Sequence, residues 1–220
     1  MRKREEKISC IGISFLEPII ILYRKLQRMK FSGYSKTQVS SNENGYSVSI
    51  IVLTILMIES VLNRVRYLEK EKKDNLKFFS MKFSKEEDLI KKLHEIYVLR
   101  DLIVHNHIWR ISYEFDNNYN EIKLYQKLLG GYGDKRPDKK YKDYVNKRNK
   151  LTKKLKLNVN PIKIGKQDVI KVFSFTKDLF LFLEGQNKSY FPLSNFKFKS
   201  NSKYLNFYEI VDKILKSKNI

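Results

Sequence analysis

Apolar residues recur at helical spacing along most of this 220-residue chain. An amphipathic helix places them at positions i, i+3, i+4 and i+7, whereas a half-buried strand alternates apolar and polar residues, and that alternation is scarce here. Clusters of small polar residues separate the helical segments at 35–45, 130–140 and 184–195. The pattern predicts an all-α bundle that forms a single helical domain over residues 1–220, with only 190–200 left open as extended chain.

The longest apolar run, Ile50 to Ile58, lies in a segment from Tyr46 to Tyr67. The segment is apolar almost all round at first and becomes amphipathic through Val61, Leu62 and Val65. This pattern is typical of a central helix that other helices enclose. The run is shorter than the ~20 residues that a membrane span requires, and Glu59 ends it. We therefore expect a core helix and no membrane contact.

A second long helix is predicted to begin at Ser84, because Ser84 and Glu87 have the spacing of a capping box. Apolar residues then continue the helical period, so the helix is expected to run past Trp109. The residues that carry this period are Leu89, Leu93, Ile96, Ile103 and Ile111. The segment from Arg100 to Arg110 is thereby placed on a helix.

Four further helices are predicted in the second half of the chain, and Asp168 is expected to cap the third of them. The sequence shows no internal repeat and no sign of a second domain. The apolar residues of the four helices are, in chain order, Ile122, Tyr125, Leu128 and Leu129; Tyr141, Tyr144, Val145, Leu151 and Leu155; Val169, Val172, Phe173, Leu179, Phe180 and Leu183; and Phe207, Ile210, Val211, Ile214 and Leu215.

The composition is strongly basic. Lys and Arg number 45 against 24 Asp and Glu, which gives a net charge of +21. Such an excess attracts polyanions such as RNA. The basic residues are spread along the chain, and the abundance of Lys, Asn, Ile and Tyr also follows from AT-rich coding, so the charge alone leaves RNA binding open.

The chain contains one cysteine, Cys10. A single cysteine excludes an intramolecular disulfide framework and a cysteine-rich zinc site, and it fits a reducing compartment. Glu17 and Pro18 interrupt the apolar stretch near the start, and no small-residue cleavage site follows, which argues against a signal peptide. We expect a cytoplasmic protein that needs no metal and no other cofactor.

The segment from Arg100 to Arg110 carries the candidate chemistry. Arg100 falls on the same predicted helical face as Leu93 and Ile96, where a charge needs either a partner or a cleft to line. On an ideal helix His107 lies within ~20° of Arg100, and His105 lies round the side. A guanidinium and an imidazole without a cysteine or a carboxylate cluster suit metal-free RNA cleavage, in which histidine deprotonates a ribose 2′-OH and arginine stabilises the phosphoryl oxygens.

The sequence "RDLIVH", from Arg100 to His105, also resembles the R-x₄₋₆-H motif of HEPN domains. These are all-α proteins that include many bacterial toxin and antiviral ribonucleases. The apolar helix upstream and the segment 152–161 followed by a helix downstream are similar to the HEPN arrangement. The resemblance covers about residues 40–184 and leaves unassigned helical extensions at 1–39 and 185–220.

The resemblance implies a role for each motif residue. Arg100 would be the arginine that stabilises the phosphate, Asp101 the polar residue that positions it, and His105 the catalytic histidine. Asn106 and His107 flank the site. His107 completes the longer R-x₆-H spacing, so both histidines stay open as the catalytic base, with His105 preferred for its match to the commoner R-x₄-H form.

Glu59 resembles the acidic residue that HEPN domains often carry on the preceding helix, where it pairs with the motif arginine. The basic residue that usually follows four positions later is Asn63 here, and Arg64 lies one step beyond. The family further implies a homodimer whose composite cleft contains two copies of the motif. Contacts with RNA are predicted for four basic residues, Arg64, Arg110, Lys135 and Arg136.

Together these observations give the hypothesis of a metal-independent endoribonuclease that acts as a toxin or an antiviral defence effector. Its partners would be RNA, a second copy of the chain, and an antitoxin or another defence-system protein. The alternative is a helical module without catalysis that binds RNA or a protein through the same face.

Overall fold

The computed structural model describes residues 10–29, 39–104, 108–118, 121–130, 139–191, 197–200 and 203–216. This part of the chain is mostly helical, as the periodicity predicts. Two short 3₁₀ helices are present, at Ile11–Phe15 and Pro161–Lys163. The α-helices are α1 (Leu16–Arg28), α2 (Ser41–Leu68), α3 (Asn75–Lys82), α4 (Glu87–Val104), α5 (Lys139–Tyr144), α6 (Lys166–Gln186) and α7 (Phe207–Lys216). The strands are β1 (Ile108–Phe115), β2 (Glu121–Gly130), β3 (Phe198–Ser200) and β4 (Lys203–Leu205).

Helix α2 is the centre of the bundle. The side chain of Ser40 caps its first turn by accepting a hydrogen bond from the N–H of Glu43 at 3.2 Å. Helices α1, α3, α4 and α6 all pack against α2, and Ile50, Ile55 and Ile58 are completely buried. The predicted central helix is thus confirmed. Among the described residues α2 is the one helix long and apolar enough to cross a membrane, and half of its most apolar window is buried inside the protein.

The last two predicted helices are also confirmed. All the apolar residues predicted to pack from α6 are buried, and so are those predicted from α7 apart from Leu215, which is half-buried. Helix α6 begins at Lys166, earlier than the predicted cap at Asp168 implies, and its N-cap residue is Gly165. Asp168 therefore lies in the first turn, where its carboxylate accepts a hydrogen bond from the N–H of Gly165 at 3.1 Å.

Helix α4 is shorter at both ends than the sequence pattern predicts. It begins at Glu87, and the carbonyl of Glu86 accepts the N–H of Ile90 at 2.9 Å, so a start at Ser84 is wrong. It ends at Val104, and Ile108 already belongs to strand β1. The expectation of one helix from Ser84 past Trp109 and Ile111 is therefore wrong. Bulky aromatic and β-branched residues at 108–115 favour a strand over a helix.

The described residues form two antiparallel hairpins, and the first of them replaces predicted helix. Strand β1 pairs with β2, so the helix predicted at Ile122, Tyr125, Leu128 and Leu129 is wrong. The hairpin turn starts with Asp116, whose carboxylate accepts the N–H of Asn118 at 2.8 Å in an Asx turn. Strand β3 pairs with β4, which agrees with the extended chain left open near 190–200.

The helix predicted from Tyr141 to Leu155 is also mostly wrong, because α5 ends at Tyr144. Val145 and Leu151 instead form isolated β-bridges with Thr152 and Asn158. An irregular connection, 145–165, therefore links α5 to α6. Some of its N–H groups, such as those of Asn146, Thr152 and Val159, donate to backbone carbonyls. Others have no such partner and need different acceptors.

Buried carboxylates supply these acceptors. Glu95 of α4 is completely buried, and its two oxygens accept the N–H groups of Lys154 and Leu155 at 2.6 and 2.8 Å. Asp168 of α6 accepts the N–H of Asn158 at 2.9 Å in addition to that of Gly165. A carboxylate can leave water when N–H groups solvate it in this way. The connection is thereby fixed to two helices of the bundle.

Helix α2 contacts the junction of this connection with α6 through Glu43, a buried residue that accepts the N–H of Lys166, the first residue of α6, at 3.0 Å. Gly165 lets the two segments approach closely, since a Cβ atom at this position would lie 2.8 Å from the Glu43 carboxylate. Asn44 adds a hydrogen bond from its side-chain amide to the carbonyl of Ile164 at 3.0 Å. Polar side chains of three helices, α2, α4 and α6, thus contact the same connection.

Replacing Glu95 with alanine removes the acceptor of two backbone N–H groups. We expect the free energy of unfolding to fall by about 2 kcal/mol, because hydrogen bonds to a buried charge are lost. Urea denaturation followed by circular dichroism measures this change. The exposed Glu17 gives a matched control, for which the loss should stay within about 0.5 kcal/mol; equal losses in the two variants would contradict the role of Glu95.

Candidate functional site

An ion pair joins the second half of α4 to α2. The Nη1 group of Arg100 donates a hydrogen bond to Oε1 of Glu59. The side chain of Arg100 is 29% exposed and that of Glu59 is 19% exposed, so the pair lies at the edge of the bundle. The structure thus brings together the motif arginine and the acidic residue that were expected to pair.

Asp101 holds the same guanidinium from the other side. Its Oδ1 atom accepts hydrogen bonds from Nε and Nη2 of Arg100 at 3.0 and 2.6 Å. With the bond to Glu59, these interactions use three of the five N–H donors that a guanidinium carries. Within the described residues, one N–H on each terminal nitrogen has no protein acceptor.

The ring of Tyr97 packs against the guanidinium of Arg100. The Cζ atom of Arg100 lies 4.9 Å from the centre of the Tyr97 ring, which is the geometry of a cation–π contact. Burial, with the negative charge of Glu59 as a second cause, raises the pKa of the Tyr97 hydroxyl, so this group stays neutral. Sequence reasoning missed Tyr97, although its position three residues before Arg100 puts both on one helical face.

The charge of Arg100 is secure in this environment. Partial burial lowers the pKa of a guanidinium, but the hydrogen bonds and negative charges of Asp101 and Glu59 outweigh burial and raise the pKa of Arg100 overall. The site therefore presents a fixed, charged guanidinium whose direction is set by two carboxylates and one ring. Such an arrangement can bind a phosphate oxygen without first ordering a long, flexible side chain.

A groove of about 500 Å³ runs along α2 beside the ion pair. Its polar wall consists of Glu59, Ser60, Asn63 and Arg64. Arg64 also donates a hydrogen bond from Nε to the carbonyl of Ser189 at 3.1 Å, so it contacts both the groove and the end of the α6 region. Glu59 thus belongs to the ion pair and to the groove.

The rest of the groove wall is apolar and partly open to solvent. Ile11 and Tyr67 are 70% and 68% exposed, and Phe15 and Leu56 complete this apolar wall. Leu56 and Tyr67 belong to α2, whereas Ile11 and Phe15 belong to the 3₁₀ helix before α1. Gly12 holds this 3₁₀ helix against α2 by donating its N–H to the hydroxyl of Ser60 at 2.9 Å. A Cβ atom on Gly12 would lie 2.8 Å from the Cβ of Ser60, so only glycine permits this approach.

Several predicted site residues lie outside the described residues. They follow α4 directly or fall in the connection between β2 and α5, and their proposed roles stay predictions. These residues are His105, Asn106, His107, Lys135 and Arg136. The helical alignment of Arg100 with His107 was derived for a helix that continues past Trp109, and Trp109 belongs to β1.

Arg110 is described and exposed, on strand β1. Its register partner on β2 is Lys127, which is exposed as well. Two like charges directly opposite each other destabilise an antiparallel pair unless an anion lies between them. Lys127 is a basic residue that sequence reasoning missed, because the segment was assigned to a helix and the cross-strand pairing was not foreseen.

In the part of the chain that the structure describes, no group of three or more His, Cys, Asp or Glu residues is placed to hold a metal ion. Comparison of the chain with models of protein families, with curated proteins and with solved structures finds no match.

The strength of the ion pair can be measured by a double-mutant cycle with Arg100→Gln and Glu59→Gln. Because both side chains are largely buried, we expect a coupling of roughly 1–2 kcal/mol, between the values for surface and buried pairs. Thermal or urea unfolding of the four proteins gives this number. The exposed pair Glu87 and Lys91, at 2.8 Å on α4, is the control and should show only about 0.3–0.5 kcal/mol.

Proposed function

We propose that this chain is a metal-independent endoribonuclease of HEPN type. The observation that carries the proposal is the fixed guanidinium of Arg100, held by Glu59 and Asp101 at the surface. His105 and His107 follow it in the sequence at the shortest and the longest spacing that the HEPN motif allows.

In the proposed reaction a histidine, preferably His105, takes the proton of a ribose 2′-OH. The 2′-oxygen attacks the adjacent phosphorus, the bond from phosphorus to the 5′-oxygen breaks, and the departing oxygen takes up a proton. The products are a 2′,3′-cyclic phosphate and a 5′-hydroxyl end. The two remaining N–H groups of Arg100 would bind the non-bridging oxygens, whose negative charge grows in the transition state.

Asp101 and Glu59 would act as positioning residues in this scheme. They hold the guanidinium in one orientation, so that no rotamer entropy is lost when the phosphate binds. They also reduce the net charge of the site, which weakens the binding of the ground-state phosphate. Asn106 flanks the motif and would contact the same nucleotide.

The groove beside Glu59 supports the part of the proposal that concerns a second copy of the chain. Its apolar wall, with the exposed residues Ile11 and Tyr67, is suited to burial against another protein surface. A homodimer formed there would bring two copies of the Arg100 site near each other in a composite cleft. We further propose that the protein acts in the cytoplasm as a toxin or antiviral effector, under the control of an antitoxin or another defence-system partner.

The hairpin β1–β2 is proposed to guide RNA toward the site. Arg110 and Lys127 face each other across the strands, and a backbone phosphate between them would relieve their repulsion. Tyr125 lies two positions from Lys127 along β2 and is 48% exposed. Its hydroxyl donates to Glu114 at 2.7 Å and Lys123 lies over its ring at 4.7 Å, so a base would stack on the other face of the ring. Arg64, in the groove, and Lys135 and Arg136, between β2 and α5, would add backbone contacts.

One observation favours the alternative, a helical module that binds RNA or protein without catalysis. The guanidinium of Arg100 already has two carboxylate partners and an aromatic support. That environment is equally typical of an arginine that joins two helices. In this case the basic hairpin would still bind RNA, but no product would form.

The central test is cleavage of a single-stranded RNA in the presence of EDTA. We expect wild-type protein to yield 2′,3′-cyclic phosphate ends. Arg100→Ala and His105→Ala should each lower the rate by roughly 10²–10⁴-fold, the usual contribution of acid–base and charge stabilisation. Gel analysis of labelled RNA, with identification of the ends by mass spectrometry, measures the effect.

The remaining histidine, His94, provides a matched control. Its ring stacks on Tyr144 at 4.9 Å, away from the ion pair, so His94→Ala should retain activity once folding is verified. A loss in His107→Ala with full activity in His105→Ala would assign the longer motif spacing. Full activity of both Arg100→Ala and His105→Ala would contradict the proposed mechanism.

Binding can be tested separately with a 2′-O-methyl RNA, which lacks the nucleophile and is not cut. Replacing Arg110 and Lys127 together by glutamine should reduce the slope of log K against log salt by about 1.4, which corresponds to two lost contacts with a single strand. Fluorescence anisotropy at several salt concentrations gives the slope. Lys25→Gln with Lys85→Gln removes the same charge elsewhere, and an equal effect of this pair would contradict a role for the hairpin.

A further inference from the structure

Two successive turns in the irregular connection between α5 and α6 are built in the same way. The backbone N–H of Asn146 donates to the carbonyl of Leu151 at 2.8 Å. Further along the chain, the N–H of Thr152 donates to the carbonyl of Leu157 at 2.9 Å. Each hydrogen bond closes a turn of four residues. The two turns are the first basic turn, residues 147–150, and the second basic turn, residues 153–156.

Both turns carry a dense set of cations, because three of the four residues in each are Lys or Arg. Lys154 forms an ion pair with Asp88 of α4 at 2.9 Å. Within the described residues, the other five cations form no ion pair. Asp143 is the only acidic residue in the sequence from 139 to 167. The five cations are Lys147, Arg148, Lys150, Lys153 and Lys156.

The backbone beneath these cations is fixed to the bundle. Glu95 of α4 accepts the N–H groups of Lys154 and Leu155 in the second basic turn. In the first basic turn, the side-chain oxygen of Asn146 accepts the N–H of Arg148 at 2.8 Å. A phosphate group that binds here therefore does not have to order the backbone first. A small apolar cluster completes the attachment and consists of Val98, Leu102, Val145 and Val159.

Each basic turn ends at a lysine in the left-handed region of backbone conformation. The φ angle is 57° for Lys150 and 56° for Lys156. This conformation costs energy for a residue that has a Cβ atom, and glycine adopts it without that cost. Both turns therefore keep a lysine at the position where glycine would relieve the strain. Strain that is retained at equivalent positions points to a use for the lysine side chain.

The composition of the turns favours a double-stranded polyanion. Neither turn contains an aromatic residue, whereas single-stranded RNA is usually bound through bases that stack on aromatic rings. In a double helix the bases are paired inside and the phosphates form the outer surface, so cations can hold it without stacking. An anionic membrane fits less well, because Leu155, the one apolar residue of the two turns, is half-buried.

The two basic turns lie at opposite ends of a small meander. The bridge between Val145 and Thr152 and the bridge between Leu151 and Asn158 are both antiparallel, so the chain reverses its direction at each turn. Successive turns of an antiparallel meander project from opposite ends. A double helix that lies across the meander can therefore contact one turn with each of its strands.

The first basic turn also offers a way to distinguish RNA from DNA. Asn146 and Asn149 are exposed beside its cations. Their side-chain oxygens accept the N–H groups of Arg148 and Leu151 at 2.8 and 3.1 Å, which holds both side chains in place. Each side-chain amide keeps its NH₂ group as a donor, and a ribose 2′-OH is an acceptor that DNA lacks.

We propose that the two basic turns bind the phosphates of an RNA double helix, which is a stem of the substrate whose single-stranded part is cut at Arg100. The identity of this RNA as a substrate rests on the proposed ribonuclease function, but the binding itself does not need the reaction. Helix α4 carries both surfaces, since Glu95 contacts the connection and Arg100 contacts α2. An RNA with a stem and a single-stranded segment can thus contact both.

The test measures fluorescence anisotropy of the full chain with three probes, an RNA duplex of about 16 base pairs, the DNA duplex of the same sequence, and one RNA strand alone. We expect the RNA duplex to bind more tightly than the DNA duplex. Replacing Lys147, Arg148 and Lys153 together by glutamine should weaken RNA duplex binding at least tenfold. It should also reduce the slope of log K against log salt by about 2.7, for three lost contacts with a duplex.

A matched control separates these turns from the general attraction of a basic chain for anions. Replacing Lys25, Lys85 and Lys188 by glutamine removes the same charge from exposed positions elsewhere, and it should change RNA duplex affinity less than twofold. Equal losses in the two triple variants, an equal loss for the duplex and the single strand, or equal affinity for RNA and DNA duplexes would each overturn the proposal. Binding to anionic vesicles without saturable binding of the RNA duplex would do so as well.

The strained lysines give a second test, in which stability and affinity move in different directions. Replacing Lys150 and Lys156 by glycine relieves the strain and removes two cations, so the melting temperature should stay equal or rise while RNA duplex affinity falls severalfold. A lower melting temperature with unchanged affinity would assign the lysines a structural role and contradict the proposal.

The failure of this proposal can be distinguished from the failure of the proposed ribonuclease function. The duplex probe measures binding in the absence of a single-stranded segment, whereas the cleavage assay uses a single strand. Loss of duplex binding would leave cleavage of the single strand untouched as a result, and absence of cleavage would leave duplex binding untouched.

Discussion

A carboxylate that is buried away from water needs hydrogen-bond donors, and this requirement determines how three helices of the protein are joined. Glu43, Glu95 and Asp168 stand on three different helices, and each accepts backbone N–H groups from the connection 145–165 or from the first turn of α6. The connection has little regular structure of its own, so it depends on these acceptors. In return it joins α2, α4 and α6 through one shared segment.

The same constraint is solved differently where α4 meets α2 at the surface. Here Glu59 and Asp101 accept hydrogen bonds from a side chain, the guanidinium of Arg100, instead of from backbone N–H groups. A backbone acceptor arrangement is closed to ligands, whereas a partly exposed guanidinium keeps donors available. The proposed site therefore differs from the attachment of the connection in its donor, since the acceptors are carboxylates in both places.

The sequence was sufficient to predict the helices that bury a wide apolar face. Helix α7 is strongly amphipathic, α2 and α6 are apolar over most of their circumference, and tertiary packing agrees with these patterns. It was not sufficient for β1 and β2, because Trp109, Ile111 and Tyr113 fit a helix and a strand about equally well over such a short stretch. Only the pairing with β2, some fifteen residues away along the chain, decides between the two, and local patterns do not contain that information.

The candidate site was partly predictable for a similar reason. Arg100 and Glu59 were named from a motif and a resemblance, and their contact across two helices follows the expectation. Tyr97, Lys127 and the buried Glu95 were not named, since their importance arises from partners that are distant in sequence or on another strand. The predicted start of α4 at Ser84 was wrong, because the chain forms a turn there and α4 begins only at Glu87.

Gly12 controls the dimensions of the groove next to the ion pair. Any other residue at this position would place a Cβ atom against Ser60. Because Gly12 has none, the segment that carries Ile11 packs directly on α2. A Cβ atom at this position would push the segment that carries Ile11 away from α2. The width of the groove therefore depends on the absence of a side chain at position 12.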